Sequence, residues 1–177
     1  DTDDRGSHQL KIANIGKTPL FVNTYVKGVS TTSSQDIVQD NLLMEVNYFS
    51  LDGVPIESAS LQQGTEFKVK IRVSNPGLYG NYKNLALTYM VPSGWEFKNT
   101  RLNEGGTSVD NIVDYIDIRD DRVNLYFSLN KNKYKDFDFE LHATYVGEYQ
   151  LPAVLCTAMY DDKIKAQLPG GKSKVIR

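Results

Sequence analysis

A chain of 177 residues with a formal net charge of −2 can bury one good core and offers no basic field to nucleic acid or anionic lipid. Its single cysteine, Cys156, excludes an internal disulfide and a paired-cysteine zinc site, and its two histidines, His8 and His142, have no carboxylates spaced to complete a metal site. No apolar run approaches the length of a membrane span, so no direct membrane insertion is expected of this stretch.

Eleven Tyr and seven Phe, with plentiful Thr and Val, suit half-buried pleated surfaces better than helices. The chain opens at Asp1 without a methionine or a visible signal peptide and stops on Val175-Ile176-Arg177 as if in mid-strand, which predicts a piece of a longer protein. Residues 1–8 are polar and read as a frayed terminus or a leftover of cloning. Gln9 to Asn14 and the better strand Leu20 to Tyr25 flank the turn signal Gly16-Lys17-Thr18-Pro19, so residues 9–29 are expected to form a hairpin. A Ser/Thr/Gln-rich linker over residues 30–40 follows, with a domain boundary near residue 38.

Leu42 to Leu51 reads as a strand, and Asp52-Gly53 is the strongest two-residue hairpin signal in the chain. Val54-Pro55-Ile56 is kept short by a proline that cannot donate. Phe67, Val69, Ile71 and Val73 alternate with Lys68, Lys70, Arg72 and Ser74, a half-buried strand by period two. Asn75-Pro76-Gly77 ends it. Leu85 to Val91 is apolar on both faces and predicts a covered, central strand. After the turn Pro92-Ser93-Gly94, Trp95 is expected to plug the end of the core rather than offer a binding platform. Ile112 to Ile118 reads as a short strand or one helical turn. Val123 to Leu129 and Phe137 to Tyr145 both alternate, and the polar link Asn130 to Asp136 predicts that they are antiparallel neighbours. The apolar run Leu151 to Ala158 and the segment Lys174 to Ile176 complete the strands. Asp161 to Ala166 is the one helical candidate. Some seven strands with turn signals every ten to fifteen residues predict an all-β, immunoglobulin-like antiparallel β-sandwich, without the Cys…Trp…Cys spacing of true immunoglobulin domains.

No side-chain constellation points to catalysis. Cys156 lies inside an apolar strand, where a small buried hydrophobe is expected rather than an activated thiol. Asp114, Asp117, Asp120 and Asp121 are interleaved with Arg119 and Arg122, which neutralise them. A charged strand end is expected there rather than a calcium loop, with an Asp/Arg ladder across neighbouring strands. Tyr79, Tyr82 and Tyr89 read as ordinary sheet and loop tyrosines rather than a sugar platform. The Lys131–Lys135 and Lys163–Lys174 runs are broken by other residues and read as solvated faces. Met159-Tyr160, followed by Asp161-Asp162, is less generic. A polarizable Met beside a Tyr at a strand exit suits a contact with another domain, or else fills the edge of its own core.

Several segments occur in an order that resembles bacterial alpha-2-macroglobulins. Leu151-Pro152-Ala153 with Cys156-Thr157-Ala158-Met159-Tyr160-Asp161 is similar to the "LP…EAMYD" signature near their C-terminus. Gly147 and Tyr149 fit the entry to that signature. Leu51-Asp52-Gly53 with Pro55, Pro92-Ser93-Gly94-Trp95-Glu96, and Asp117-Ile118-Arg119-Asp120-Asp121-Arg122-Val123 fit the same frame. Together they cover residues 42–177, and residues 9–29 resemble the segment that follows the thioester domain. Two departures stand out: Thr157 replaces the usual Glu, and the thioester motif Cys-x-Glu-Gln is absent.

The resemblance implies a macroglobulin-type β-sandwich over residues 38–177, preceded by a hairpin remnant and linker over 9–37. It implies a non-catalytic C-terminal domain of a broad-spectrum protease trap in the periplasm or cell envelope, with a lipid anchor on the parent compatible with it. The partners implied are the thioester domain of the same parent chain and, through the parent, target proteases; no cofactor is implied. Met159 and Tyr160 would then lie over the thioester and keep water and small nucleophiles from it until cleavage. In family members without a thioester the same pair would be plain interdomain packing. The alternative is a stand-alone β-sandwich that binds carbohydrate or an adhesion partner; an enzyme would require a pocket with perturbed carboxylates.

Overall fold

A computed structural model of the chain describes residues 10–24, 36–98 and 113–177. The chain divides into two units, Asp1–Thr31 and Thr32–Arg177.

In the first unit the described residues, 10–24, contain no strand, so the expected hairpin over 9–29 is not formed there; residues 9 and 25–29 lie outside the described residues, as do residues 1–8 and 30–35 of the expected terminus and linker. Its turn is formed: the Asn14 carboxamide accepts from the Gly16 N–H at 2.9 Å and donates to the Thr18 carbonyl at 2.8 Å. Leu10, Ile15 and Phe21 on either side of the turn are exposed. A two-stranded ribbon is marginal in water on its own strength, so alternation alone did not suffice here.

Among the described residues of the second unit the regular secondary structure is all strand. In chain order the strands are β1 (Val38–Asp40), β2 (Leu43–Ser50), β3 (Ser60–Gln62), β4 (Glu66–Ser74), β5 (Tyr82–Met90), β6 (Trp95–Phe97), β7 (Tyr115–Ile118), β8 (Arg122–Leu129), β9 (Tyr134–Ala143), β10 (Gly147–Leu151), β11 (Val154–Ala158), β12 (Asp161–Leu168) and β13 (Gly171–Ile176). They form a six-stranded sheet in the order β1-β12-β11-β5-β8-β7, a four-stranded sheet β2-β4-β9-β6 and a three-stranded sheet β10-β13-β3. Every strand pair is antiparallel except β13 with β3. This is the expected sandwich.

The core follows from period two. Phe67, Val69, Ile71 and Val73 on β4 are fully buried, as are Leu85, Val123, Phe127, Cys156 and Ala166 from the six-stranded sheet. Each large side chain so buried contributes about 1.5–3 kcal/mol relative to an exposed one. Trp95 is buried and meets Phe67 edge-on at 4.9 Å and Tyr48 at 5.8 Å, so it does plug the core. β5 is central, between β11 and β8, as its two apolar faces required.

Four expectations are corrected. First, Asp161 to Ala166 is not helical. It opens β12, where Ile164 and Ala166 are buried and Lys163 is exposed, between β1 and β11. Second, β8 and β9 are not neighbours. They lie in different sheets, and Phe127 and Phe137 meet across the core at 4.9 Å between ring centroids. Alternation fixes which face of each strand is inward but is silent about which sheet the strand joins. Third, the run Leu151 to Ala158 is broken after Leu151. Pro152 lacks an N–H for the ladder, and the chain passes from the three-stranded to the six-stranded sheet. Fourth, Asp52-Gly53 closes a three-residue loop, Leu51–Gly53. The Ser50 N–H donates to the Val54 carbonyl at 2.8 Å, the Gly53 N–H donates to the Ser50 carbonyl at 3.0 Å, and Gly53 sits at φ +83°.

Candidate functional site: the Met159–Tyr160 hairpin tip

β11 and β12 are joined by the two-residue turn Met159-Tyr160, with Ala158 paired to Asp161 and a bulge at Thr157/Ala158. Three hydrogen bonds hold the backbone at this tip, two of them from other elements. The Met159 N–H donates to the Asn84 carbonyl at 2.9 Å. Asn84 holds a left-handed φ of +53° where the register of β5 shifts between Tyr82 and Leu85. The Asp161 carboxylate accepts the Lys163 N–H at 3.1 Å, and the Lys163 carbonyl accepts the Asn41 amide at 2.8 Å. The side chains are free by contrast: Met159 is 52% exposed and Tyr160 83%. Filling the edge of their own core, one of the two readings of the sequence, is therefore not what these residues do. The arrangement is a rigid backbone holding a soft apolar group and an aromatic face out into solvent.

The same end of the sandwich carries most of the unusual backbone. Asn41, Asn84 and Asn132 have positive φ, as do Gly77 and Gly80. Asn is the side chain that best tolerates this region, because its short amide can bond locally. Val38 pairs with Gln167, far along β12 from the tip, and Ile176 pairs with Gln62, so the strand set begins and ends away from the hairpin.

The other sequence candidates resolve into structure. Cys156 is fully buried, and burial alone pushes its thiol far above the ordinary range, so it is not an activated nucleophile. Arg119 pairs with Asp117 at 3.0 Å and Arg122 with Asp121 at 2.6 Å. These contacts stay within one turn and do not form a ladder across strands; Arg122 holds the Asp121 carboxyl below its usual range. The ladder occurs elsewhere, on the outward face of β4 and β9, where Arg72–Asp136 at 2.7 Å, Lys70–Asp138 at 3.9 Å and Lys68–Glu140 at 3.3 Å are all register partners. Lys98–Glu66 at 2.6 Å continues it. Its signal was in the sequence: basic residues at 68, 70 and 72 against acidic ones at 136, 138 and 140. Tyr82 and Tyr89 are in the core, so the three tyrosines do not assemble a platform, although Tyr79 is exposed. Among the described residues no group of three His, Cys, Asp or Glu could hold a metal ion.

At the opposite end, Tyr149 explains two family-type glycines. Its hydroxyl donates to the carbonyls of Tyr145 at 3.0 Å and Val146 at 3.3 Å, laying the ring across Gly94 and Gly147. A β-carbon on Gly94 would overlap the ring, and one on Gly147 would come within 2.8 Å of its hydroxyl.

Comparison with known proteins places these features in a family. The family model for the bacterial alpha-2-macroglobulin MG10 domain matches residues 42–163. An alpha-2-macroglobulin homolog of Yersinia pestis is 23% identical over 189 aligned residues, covering 94% of this chain and 9% of its own length. An alpha-2-macroglobulin of Xylella fastidiosa (strain Temecula1) is 25% identical over 160 residues, covering 82% and 9%. Among solved structures, Salmonella alpha-2-macroglobulin reacted with methylamine superimposes with a TM-score of 0.70 at 22% identity, covering 82% of this chain and 10% of that one. Native Escherichia coli alpha-2-macroglobulin from domain MG7 to the C-terminus gives 0.67 at 20% identity, covering 80% and 24%. The chain thus spans about a tenth of the length of its curated relatives. With the match running over most of the β-sandwich and through the hairpin tip, this chain belongs to the bacterial alpha-2-macroglobulin MG10 domain family.

Proposed function

We propose that residues 38–177 are the non-catalytic C-terminal domain of a periplasmic or cell-envelope alpha-2-macroglobulin that traps proteases. In this reading residues 9–37 are the tail of the preceding module with its linker, and Met159 and Tyr160 dock on the parent's thioester domain as a shield. The observation that carries the reading is the hairpin tip: a backbone pinned to Asn84 and Asn41, with Met159 half exposed and the Tyr160 ring largely exposed. An isolated domain gains nothing from such a display, whereas a docked one buries it.

The chemistry is consistent with the shield. A thioester survives only if water and small amines are kept off its acyl carbon, and Met and Tyr can close over it because a thioether and a neutral phenol are poor acyl acceptors. This chain contains no Cys-x-Glu-Gln, so any thioester belongs to another part of the parent. Relatives give the reagents for a test, since the Salmonella protein has been obtained reacted with methylamine and Escherichia coli proteins activated by trypsin and by porcine elastase.

The test uses the full-length parent. Methylamine attacks the acyl carbon, forms an amide and releases the cysteine thiol, so each event adds one methylamine to the intact mass and one free thiol. The Met159→Ala/Tyr160→Ala variant is expected to take up methylamine about tenfold faster or more, the size of effect that loss of one desolvating contact of about 1.4 kcal/mol produces. Equal rates in the two proteins sink the shield. No adduct on either, before or after proteolysis, removes the thioester itself and leaves the pair as interdomain packing.

A further inference from the structure

Two strands are irregular at one level, on either side of β11, and that level is the hairpin tip. The ladder between β11 and β5 is regular from Leu155–Thr88 to Ala158–Leu85. Its next rung is the bond from the Met159 N–H to the Asn84 carbonyl at 2.9 Å. On the far side of β5, the pairs Tyr82–Leu129 and Leu85–Phe127 match three steps along β5 with two along β8, so β5 carries one residue in excess. A left-handed residue takes up such an excess, and Asn84, at φ +53°, is the left-handed residue of β5. On the other side of β11, the single step from Thr157 to Ala158 is matched by four along β12, from Lys165 to Asp161. There the Asp161 carboxylate accepts the Lys163 N–H at 3.1 Å.

Bulges bend a strand and re-aim the side chains beside them. At this tip the aim has to come from the backbone, because Met159 and Tyr160 are exposed and no core packing fixes where they stand. The bond from Asn41 grips the chain at Lys163, beyond the turn. The bond to Asn84 grips Met159 itself. The Asn84 side chain is exposed, so the residue is not needed for the core. What the position asks for is a left-handed backbone, which Asn tolerates better than other residues with a β-carbon.

We propose that Asn84 is the positioning residue of the Met159–Tyr160 shield. Its left-handed backbone turns the carbonyl onto the Met159 N–H and so fixes where the two exposed side chains stand. The inference rests on the shielding role proposed above and adds what sets its aim. The backbone conformation at position 84 matters here, not the carboxamide. Glycine adopts that conformation freely, and a β-branched residue resists it.

The test measures methylamine uptake by intact mass in the full-length parent, comparing the wild type with Met159→Ala/Tyr160→Ala, Asn84→Val, Asn84→Gly and Gly53→Val. Gly53→Val is the control for strain. Gly53 is also left-handed, at φ +83°, and nothing lies within 4 Å of its β-carbon. It follows the end of β2, whose other end adjoins Asn41. Asn84→Val is expected to speed uptake about tenfold, the shift between fastened and released tip that a disfavoured left-handed residue produces. Asn84→Gly and Gly53→Val are expected to react at the wild-type rate. Hydrogen exchange of the peptide holding Met159 reads the grip directly, and is expected to quicken in Asn84→Val but not in Asn84→Gly. If Asn84→Val does not fold, the milder Asn84→Ala takes its place. A wild-type rate for Asn84→Val beside a fast Met159→Ala/Tyr160→Ala overturns the positioning role and leaves the shield standing. Unchanged exchange at Met159 in Asn84→Val overturns it as well. Equal acceleration by Gly53→Val makes the effect a general loosening, and equal acceleration by Asn84→Gly assigns it to the carboxamide; either result overturns the proposal. A wild-type rate for Met159→Ala/Tyr160→Ala removes the shield, and the role of Asn84 with it.

Discussion

A β-carbon is enough to test how tightly the far end of the sandwich is built. Gly94 and Gly147 lie under the ring of Tyr149, whose hydroxyl is tied to two carbonyls and cannot swing away without losing them. Gly94→Ala is expected to destabilise the domain by about 1–3 kcal/mol, as overpacking does, read as a lowered urea midpoint with an unchanged slope. Gly53→Ala is the control. Nothing lies within 4 Å of its β-carbon, so only the left-handed backbone opposes it, at about 1–2 kcal/mol. If Tyr149→Ala added to Gly94→Ala leaves the cost of Gly94→Ala unchanged, the ring is not what makes Gly94 a glycine. Cys156 shows the opposite relation between residue and role. It carries a reactive group, but full burial in β11 makes it a piece of core.

Strands set the second scale, and here pH is informative. Arg72 hydrogen-bonds Asp136 through two nitrogens and holds its carboxyl below the usual carboxylate range. The folded pKa is thus lower than the unfolded one, near 3.9. The unfolded chain takes up the proton first as pH falls. The contribution of this pair is therefore whole above about pH 4–5 and is lost as pH drops through the folded value. Thermal melts from pH 7 to pH 2.5 are expected to show a smaller acid-side fall in Tm for Asp136→Asn than for the wild type. An identical fall would mean that the ladder does not couple to folding. The ladder also shows what was legible. Phe67 to Val73 announced its strand because one face is apolar and the other charged at every step. β12 did not, because Asp161-Asp162 has no inward residue before Ile164 and its partner β1 lies more than a hundred residues away. β8 and β9 were each legible as strands, but the choice between pairing and facing across the core is made by long-range packing such as Phe127 on Phe137. At the site, residue types marked Met159-Tyr160 as unusual, and the role expected of it came from the resemblance to a family signature. The brace from Asn84 depends on a β5 bulge that leaves no periodic trace.

At the scale of the molecule, the second unit is a sandwich whose strand set starts and ends away from the exposed Met159–Tyr160 tip. Such a body can be carried by the rest of a parent chain while its far end closes on a neighbour, and a movement of the carrier would lift that end without unfolding anything. The most direct measurement is the oxidation of Met159 in the full-length parent, before and after cleavage by trypsin. Dilute peroxide converts an accessible methionine to its sulfoxide, and peptide mass spectrometry reads each site separately. Met44, fully buried in β2, is the internal reference for protection. The docked account predicts that Met159 is oxidised about as slowly as Met44 in the uncut parent and many-fold faster after cleavage. Fast oxidation of Met159 in the uncut parent, at a rate that cleavage does not change, would contradict it.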